Sequence, residues 1–201
     1  WTDVPGMFTA NPRDVPTARL LHSLDYDEAQ EMATTGAKAL HPRCIAPVRA
    51  RGIPLHIRCT GSPELPGTRI SRQAESRAGL KGISVRKGLW LVSMDTVGMW
   101  QQAGFLADAF AVFKSHGLSV DLLATSETNV TASLDPRANN LGADRLDALL
   151  SDLRPLCEPR LIGPAASVSL VGRRIRSILP QLAPVFERFS DQTVHLLTQA
   201  A

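Results

Sequence analysis

The chain has 201 residues, of which 44% are hydrophobic and 20% are charged, and its formal net charge is +3. This length accommodates one large or two small domains, and the hydrophobic content excludes a chain that is disordered throughout. The basic residues are scattered, which argues against nucleic acid as a partner, and no apolar run approaches the roughly 20 residues that a membrane span needs.

The N-terminal third of the chain predicts an irregular segment followed by two helices and a strand. Residues 1–20 are rich in proline and show little periodicity, so they favour extended loops. Residues 24–35 carry apolar side chains at helical spacing behind a first turn of carboxylates, and Gly36 suits the end of that helix. A second helix is expected over residues 42–51, and alternating apolar residues predict a strand over residues 53–59.

Residues 60–79 contain several glycines, prolines and polar residues, and this composition predicts a domain boundary. Gly88 suits a turn between two strands in the region that follows. The further expected strands are 80–86, 89–95, 118–124, 128–134, 155–161, 167–171 and 192–199, and the expected helices are 103–116, 142–153 and 175–189.

An internal repeat indicates how this second region is organised. The pattern of residues 111–125 returns over residues 184–199 with one residue of slippage. Each copy favours a ferredoxin-like βαββαβ module. We expect a first module over about 80–140 and a second over about 141–201, which stops before its last strand, so the chain is expected to be cut at this end.

The cysteines bear on metal binding and compartment. Cys44, Cys59 and Cys157 lie far apart and show none of the Cys/His spacings typical of zinc sites. An odd number of scattered cysteines favours a reducing, cytoplasmic compartment. The sequence therefore predicts no metal site.

Four side chains near the N-terminus are suited to a phosphate-bearing ligand. Asp3 follows an expected strand end, where a carboxylate accepts a hydrogen bond from a ribose hydroxyl or helps to hold Mg²⁺. Phe8 offers a flat apolar surface, and Arg13 and Lys38 are cations. Taken singly, each of these residues is more readily explained by a structural role. Only their co-occurrence indicates a ligand site, because the chain contains no glycine-rich phosphate loop.

Two long motifs carry a family resemblance. Residues 1–13 resemble the aspartate kinase motif W-T-D-V-x-G-[IV]-Y-T-x-D-P-R, and residues 31–42 resemble E-[ML]-A-x-x-G-A-K-V-L-H-P of the same family. Residues 104–108, 119–122 and 126–127 match the regulatory part of that family. The resemblance covers essentially the whole chain.

The resemblance implies an α/β fold, with part of an amino-acid-kinase domain over residues 1–75 and tandem ACT domains of the ferredoxin-like type over residues 80–201. It implies transfer of the γ-phosphoryl group of ATP, taken with Mg²⁺, to the β-carboxylate of L-aspartate. The family's N-terminal K-F-G-G-[TS] segment and aspartate-binding region are absent, so no catalytic residue is expected here and the fragment alone is expected to be inactive. The implied ATP-binding residues are Thr2, Asp3, Phe8, Arg13, Lys38 and Ala39.

Two residues depart from the family pattern at this site. Phe8 replaces a tyrosine, which keeps the ring and removes a hydroxyl group, and Asn11 replaces an aspartate, which removes a charge near Arg13.

The regulatory part implies feedback by an amino acid, with lysine the expected effector. Asp121 and Glu127 are suited to an ammonium group, whereas Met99, Leu106 and Val120 fit plain core positions equally well. Gln102 replaces the serine of lysine-responsive members and leaves the effector's identity open. The implied effector residues are Met99, Gln102, Leu106, Ser119, Val120, Asp121, Thr125, Ser126 and Glu127.

The resemblance leaves two questions of assembly and function open. ACT pairing predicts a homodimer, and family members also occur fused to homoserine dehydrogenase or diaminopimelate decarboxylase, of which the second fits residues 135–201 better. The alternative to a kinase fragment is a non-catalytic module that binds an amino acid and dimerises.

Overall fold

The computed structural model describes residues 1–72, 78–96 and 103–199, and the chain divides into two compact units. The first unit comprises Trp1–Arg86 and Val168–Arg188, and the second comprises Lys87–Ser167 and Phe189–Ala201. The strands are β1 (Ser23–Leu24), β2 (Leu55–Ile57), β3 (Thr68–Ile70), β4 (Gly79–Asp95), β5 (Leu123–Thr125), β6 (Asn129–Leu134) and β7 (Glu158–Arg173). The α-helices are α1 (Tyr26–Thr35), α2 (Ile45–Ala50), α3 (Phe105–Ser115), α4 (Ala143–Leu153) and α5 (Ala183–Glu187), and 3₁₀ turns cover Pro42–Cys44 and Ile175–Leu182.

The first unit contains a small sheet in the order β1-β3-β2. β3 runs parallel to β1 and antiparallel to β2. Each of these strands has two or three residues, so the unit depends on loops and side chains for much of its order. Its core gathers Met7, Leu24, Met32, Ile45 and Ile70, all at most 2% exposed.

The N-terminus of helix α1 carries a reciprocal capping box. Asp25 accepts a hydrogen bond from the Asp27 backbone N–H (3.0 Å), and Glu28 accepts one from the Asp25 N–H (2.9 Å). This reciprocal capping box satisfies donors that the first turn otherwise leaves open. Gly36 ends the helix with a φ of +134°, a conformation that favours glycine.

The second unit is built on a regular sheet in the order β5-β6-β4-β7. β6 is antiparallel to β4, with Trp90 opposite Leu134 and Asp95 opposite Asn129, and it is also antiparallel to β5. Helices α3 and α4 supply apolar side chains to one continuous core. Buried members of that core are Val92, Met94, Phe105, Ala109, Phe113, Leu118, Val130, Ala132, Leu134, Leu146, Leu149 and Leu153.

The sheet order corrects the predicted repeat. In chain order, β4, α3, β5, β6, α4 and β7 form one βαββαβ module. The predicted division near residue 140 would separate α4 and β7 from the sheet to which they belong. The second copy of the predicted repeat, residues 184–199, contains α5 (Ala183–Glu187) and no strand over residues 193–199, so the pattern of α3 followed by β5 does not return there.

The two long strands correct the predicted turns. β4 was expected as two strands with a turn at Gly88, and β7 as strands 155–161 and 167–171, but each is continuous. Gly88 has a φ of +79° inside β4, so this glycine relieves a local irregularity rather than closing a hairpin.

Three further expectations differ from the structure. β3 lies inside the predicted linker, because a three-residue strand is too short for a periodic signal. Residues 175–189 begin as a 3₁₀ turn, and α5 covers only Ala183–Glu187, since prolines interrupt the segment. Residues 193–199 show no strand, and Val194 and Leu197 are exposed.

The predicted α/β class is confirmed, and three of the expected helices correspond to α1, α3 and α4 within two residues at each end. In the described part of the chain, no helix is long and apolar enough to cross a membrane.

Candidate functional site

The first predicted nucleotide segment, Thr2–Asp3, is held by the chain that follows β2. Thr2 forms a parallel bridge with Cys59, and its N–H donates to the Arg58 carbonyl (2.9 Å). The Thr60 N–H and hydroxyl both donate to the Thr2 carbonyl, at 2.9 and 3.2 Å. The Thr2 hydroxyl also donates to the Asp3 carboxylate (3.0 Å), which is exposed. A fixed backbone therefore presents an accessible carboxylate.

The second segment places Phe8 on a short antiparallel bridge with Leu20. Flanking hydrogen bonds run from the Thr9 N–H to the Arg19 carbonyl (2.9 Å) and from the Leu21 N–H to the Met7 carbonyl (2.8 Å). Phe8 is half-buried, so part of its side chain stays accessible.

Arg13 lies in a turn that Asn11 organises. The Asn11 side-chain oxygen accepts from the Arg13 N–H (3.1 Å), and its amide donates to the Asp14 carboxylate (2.7 Å). An aspartate at position 11 has no hydrogen to donate to Asp14. The departure from the family pattern therefore has a local role here, and the Arg13 side chain is left exposed.

Lys38 and Ala39 lie in the loop that leaves α1. The Ala37 N–H donates to the Met32 carbonyl (2.9 Å), which closes the helix end. Ala37, Ala39 and Leu40 pack against the core of the first unit, whereas Lys38 is exposed. Packing on both sides of Lys38 thus fixes the loop and directs a cation outward.

The structure brings two of the three predicted nucleotide segments against one strand. The Ile83 N–H of β4 donates to the carbonyl of Thr9 (2.7 Å), directly after Phe8. The next residue of β4, Ser84, contacts Thr35 at the end of α1, three residues before Lys38. The Thr2–Asp3 segment is held separately, by residues 58–60.

Those predicted effector positions that the structure describes lie in the second unit. The Asp121 carboxylate accepts from the Asp135 N–H (3.0 Å), and Ser119 is held by Asn139, whose side chain pairs with both its N–H (2.6 Å) and its carbonyl (2.9 Å). Val120 packs against the core, while Leu106 is 41% exposed. Ser119 and Asp121 are exposed despite these bonds.

The remaining predicted effector positions lie in the β5–β6 hairpin or outside the described residues. Thr125, Ser126 and Glu127 are exposed at the β5–β6 connection, where the Ser126 hydroxyl accepts from the Asn129 N–H (3.1 Å). Met99 and Gln102 lie outside the described residues.

A polar network at the end of β4 was missed by sequence reasoning. Asp95 pairs with Arg160 and accepts from the Asn129 amide (2.5 Å), and these hydrogen bonds, the one from Arg160 first, lower the pKa of Asp95. Burial, and secondarily the charge of Asp95, raise the pKa of the Cys157 thiol. No motif links residues 65 apart in sequence, so only the sheet order reveals this pairing.

This network borders an open cavity of about 550 Å³ in the second unit. The cavity is lined by Asp95, Thr96, Thr128, Arg154, Pro155, Leu156, Cys157 and Glu158. Within the part of the chain that the structure describes, no three His, Cys, Asp or Glu side chains cluster as a metal site would require.

Comparison with known proteins assigns the class and then the family. A family model described as the amino acid kinase family matches residues 1–59. The lysine-sensitive aspartokinase 3 of Escherichia coli strain K12 is 34% identical over 174 residues, covering 86% of this chain and 39% of the relative. The chain belongs to the aspartokinase family, and it spans about two-fifths of the length of the curated relatives it matches.

Two crystal structures of E. coli aspartokinase III extend the likeness to the whole described fold. The complex with aspartate and ADP, in the R-state, matches with a TM-score of 0.87 and 31% identity over 100% of this chain and 45% of that one. The complex with lysine and aspartate, in the T-state, matches with a TM-score of 0.81 and 29% identity over the same shares.

Proposed function

We propose that the chain forms part of an aspartate kinase, which transfers the γ-phosphoryl group of ATP to L-aspartate and yields 4-phospho-L-aspartate, the first step toward lysine, threonine and methionine. The observation that carries the proposal is the placement of the Phe8 segment and the Lys38 loop against one strand. The likeness to a structure that holds aspartate and ADP supports it.

The reaction asks for positioning and charge neutralisation. A β-carboxylate oxygen of aspartate attacks the γ-phosphorus, a new P–O bond forms, and the bond to the bridging oxygen breaks to release ADP. Arg13 and Lys38 are exposed cations suited to the phosphate oxygens, and Phe8 is suited to the base. Mg²⁺ would accompany the nucleotide, and the exposed Asp3 carboxylate is of the oxygen-donor type that this ion prefers.

Titration of the chain with Mg-ADP by calorimetry tests the nucleotide site. We expect Arg13→Gln and Lys38→Gln each to weaken binding about tenfold, because each removes a cation–phosphate contact. Arg51→Gln removes an equally exposed cation at the end of α2 and should leave the affinity unchanged. Absence of binding, or an equal loss with Arg51→Gln, would refute the proposed site.

We further propose that the second unit binds an amino-acid effector, with lysine the first candidate, and that two copies pair through this unit. Exposed Glu127 is suited to the ammonium group, and lysine is present in one of the matching structures. Lysine at a hundredfold its Kd should add about 2.7 kcal/mol to stability, seen in a thermal melt against threonine and methionine. Glu127→Gln should reduce this gain and Asp144→Asn should not.

The same titrations distinguish the alternative function. A complete βαββαβ sheet with its own core favours a module that can bind a ligand by itself. Lysine binding without any Mg-ADP binding would assign this chain to the non-catalytic, amino-acid-binding and dimerising role. Mg-ADP binding would assign it to the kinase.

A further inference from the structure

The end of α1 meets β4 through a buried pair of hydroxyl groups. Thr35 Oγ1 and Ser84 Oγ lie 2.5 Å apart, and both residues are 7% exposed. Thr35 Oγ1 also lies 2.7 Å from the Glu31 carbonyl, to which it donates. A hydroxyl has a single hydrogen, so Ser84 is the donor to Thr35 in this pair.

The chain turns directly after this contact. A Cβ on Gly36 would lie 3.0 Å from Arg86 Cγ and 3.1 Å from the Val85 carbonyl oxygen, so the backbone at Gly36 is pressed against β4. Lys38 follows two residues later. The starting point and direction of the Lys38 loop are therefore set where α1 touches β4.

The same stretch of β4 also holds the Phe8 segment. The Ile83 N–H donates to the Thr9 carbonyl, and a Cβ on Gly82 would lie 3.0 Å from both Thr9 O and Met32 Cε. Residues 82–86, named here the positioning strand, thus contact both the segment that carries Phe8 and the helix end that precedes Lys38.

We propose that the positioning strand, through the Ser84–Thr35 hydroxyl pair, sets the loop geometry in which Lys38 meets the phosphates of a nucleoside diphosphate or triphosphate. This inference rests on the proposed nucleotide site. Ser84 and Thr35 act through Lys38 and do not touch the ligand, so they are positioning residues.

The direction of the hydrogen bond predicts unequal effects for the two partners. Thr35→Val leaves the Ser84 hydroxyl buried without the acceptor that it uses here, whereas Ser84→Ala leaves the Thr35 hydroxyl still bonded to Glu31. Thr35→Ser keeps the oxygen. We expect the loop to be loosened most by Thr35→Val, less by Ser84→Ala and least by Thr35→Ser.

Hydrogen exchange of the chain, resolved by peptide mass spectrometry, tests the positioning directly. Thr35→Val should speed exchange of residues 36–41 about tenfold, while peptides from β6 stay unchanged. Thr34→Val is the matched control, because Thr34 is exposed and its hydroxyl bonds only within α1, to the Gln30 and Glu31 carbonyls. Equal exchange of the loop in the Thr34 and Thr35 variants would overturn the proposal.

Calorimetry with Mg-ADP separates this inference from the function on which it rests. Thr35→Val should weaken binding severalfold, and Thr35→Ser should restore it. Wild-type binding that Thr35→Val leaves intact would overturn the inference while the nucleotide site stands. If the wild-type chain binds no Mg-ADP, the proposed function fails for this chain, and the exchange experiment still decides whether the hydroxyl pair sets the loop.

Discussion

The two units achieve order by different means. The second unit rests on a six-residue ladder between β4 and β6 and on two helices that share one core. The small sheet of the first unit has strands of two or three residues, and this unit depends on side-chain hydrogen bonds to the backbone, such as that from the Met7 N–H to the Thr68 hydroxyl (2.8 Å). We infer that buried apolar area contributes most to the stability of the second unit, and that single hydrogen bonds and close contacts contribute more to the stability of the first.

This difference matches the roles proposed for the units. Phosphoryl transfer needs groups fixed in loops around a ligand, and loops are fixed by specific hydrogen bonds and close contacts. A module that binds an effector needs a stable platform, which a packed sheet supplies. Substitutions that remove buried area should therefore affect the second unit most, and those that disturb single contacts should affect the first.

The largest expected effect is cavity formation in the second unit. Leu149→Ala removes a fully buried side chain of α4 and should lower the free energy of unfolding by about 3 to 4 kcal/mol. Urea denaturation measures the loss, and hydrogen exchange of β6 locates it. Asp147→Ala, on the exposed face of α4, is the control. A cost below about 1 kcal/mol for Leu149→Ala would show that the core relaxes to fill the cavity and that buried apolar area is not the main source of this unit's stability.

A single added methyl group should have the next largest effect, in the first unit. A Cβ on Gly6 would lie 2.3 Å from Thr68 Oγ1, which accepts from the Met7 N–H and donates to the Leu21 carbonyl. We expect Gly6→Ala to cost about 2 to 3 kcal/mol in urea denaturation. Gly79→Ala places a Cβ with no atom within 4 Å and should cost far less. Equal losses of unfolding free energy at the two positions would show that the close contact between Gly6 and Thr68 does not determine the effect.

The same contrast explains which parts of the fold could be predicted. Helices α1, α3 and α4 follow from apolar spacing, because each buries one face against a core. β3 could not be predicted because three residues are too few to show a periodic pattern. The continuity of β4 could not be predicted because a glycine such as Gly88 is typical of a turn as well as of an irregular strand. The single module depends on the pairing of distant strands, which local pattern does not encode.

For the candidate site, sequence reasoning identified residue types but not what holds them. Asp3, Arg13 and Lys38 were predicted from their co-occurrence and from the family resemblance. All three are exposed, so the apolar patterns that predict buried residues do not identify them. Ser84 and Thr60 carry no motif and reveal their roles only through contacts with distant residues. The residues proposed for the site therefore come from the sequence, whereas the contacts that hold them became visible only in the structure.

Removing the cap of α1 should have a moderate effect. Asp25 caps the helix and lies 3.4 Å from the Arg173 guanidinium, and it is buried. We expect Asp25→Ala to cost about 1 to 2 kcal/mol in thermal unfolding. Asp27→Ala removes only an exposed first-turn carboxylate that pairs with Arg49, and it should cost about 0.5 kcal/mol or less. A larger loss of stability for Asp27→Ala than for Asp25→Ala would show that surface charge, rather than the cap, stabilises α1.

The smallest expected effect is electrostatic and depends on pH. Hydrogen bonds from Arg160 and Asn129 lower the pKa of Asp95 below its ordinary 3.8. A lowered folded-state pKa contributes stability that is fully present above the unfolded-state value and is lost as pH falls through the folded-state value. The stability difference between the wild type and Asp95→Asn should therefore stay constant above about pH 5 and shrink below pH 3.8. Asp147→Asn controls for the change in net charge. A difference that persists unchanged at pH 3 would show that shape and hydrogen bonding at this position, rather than the carboxylate charge, join the ends of β4, β6 and β7 in the second unit.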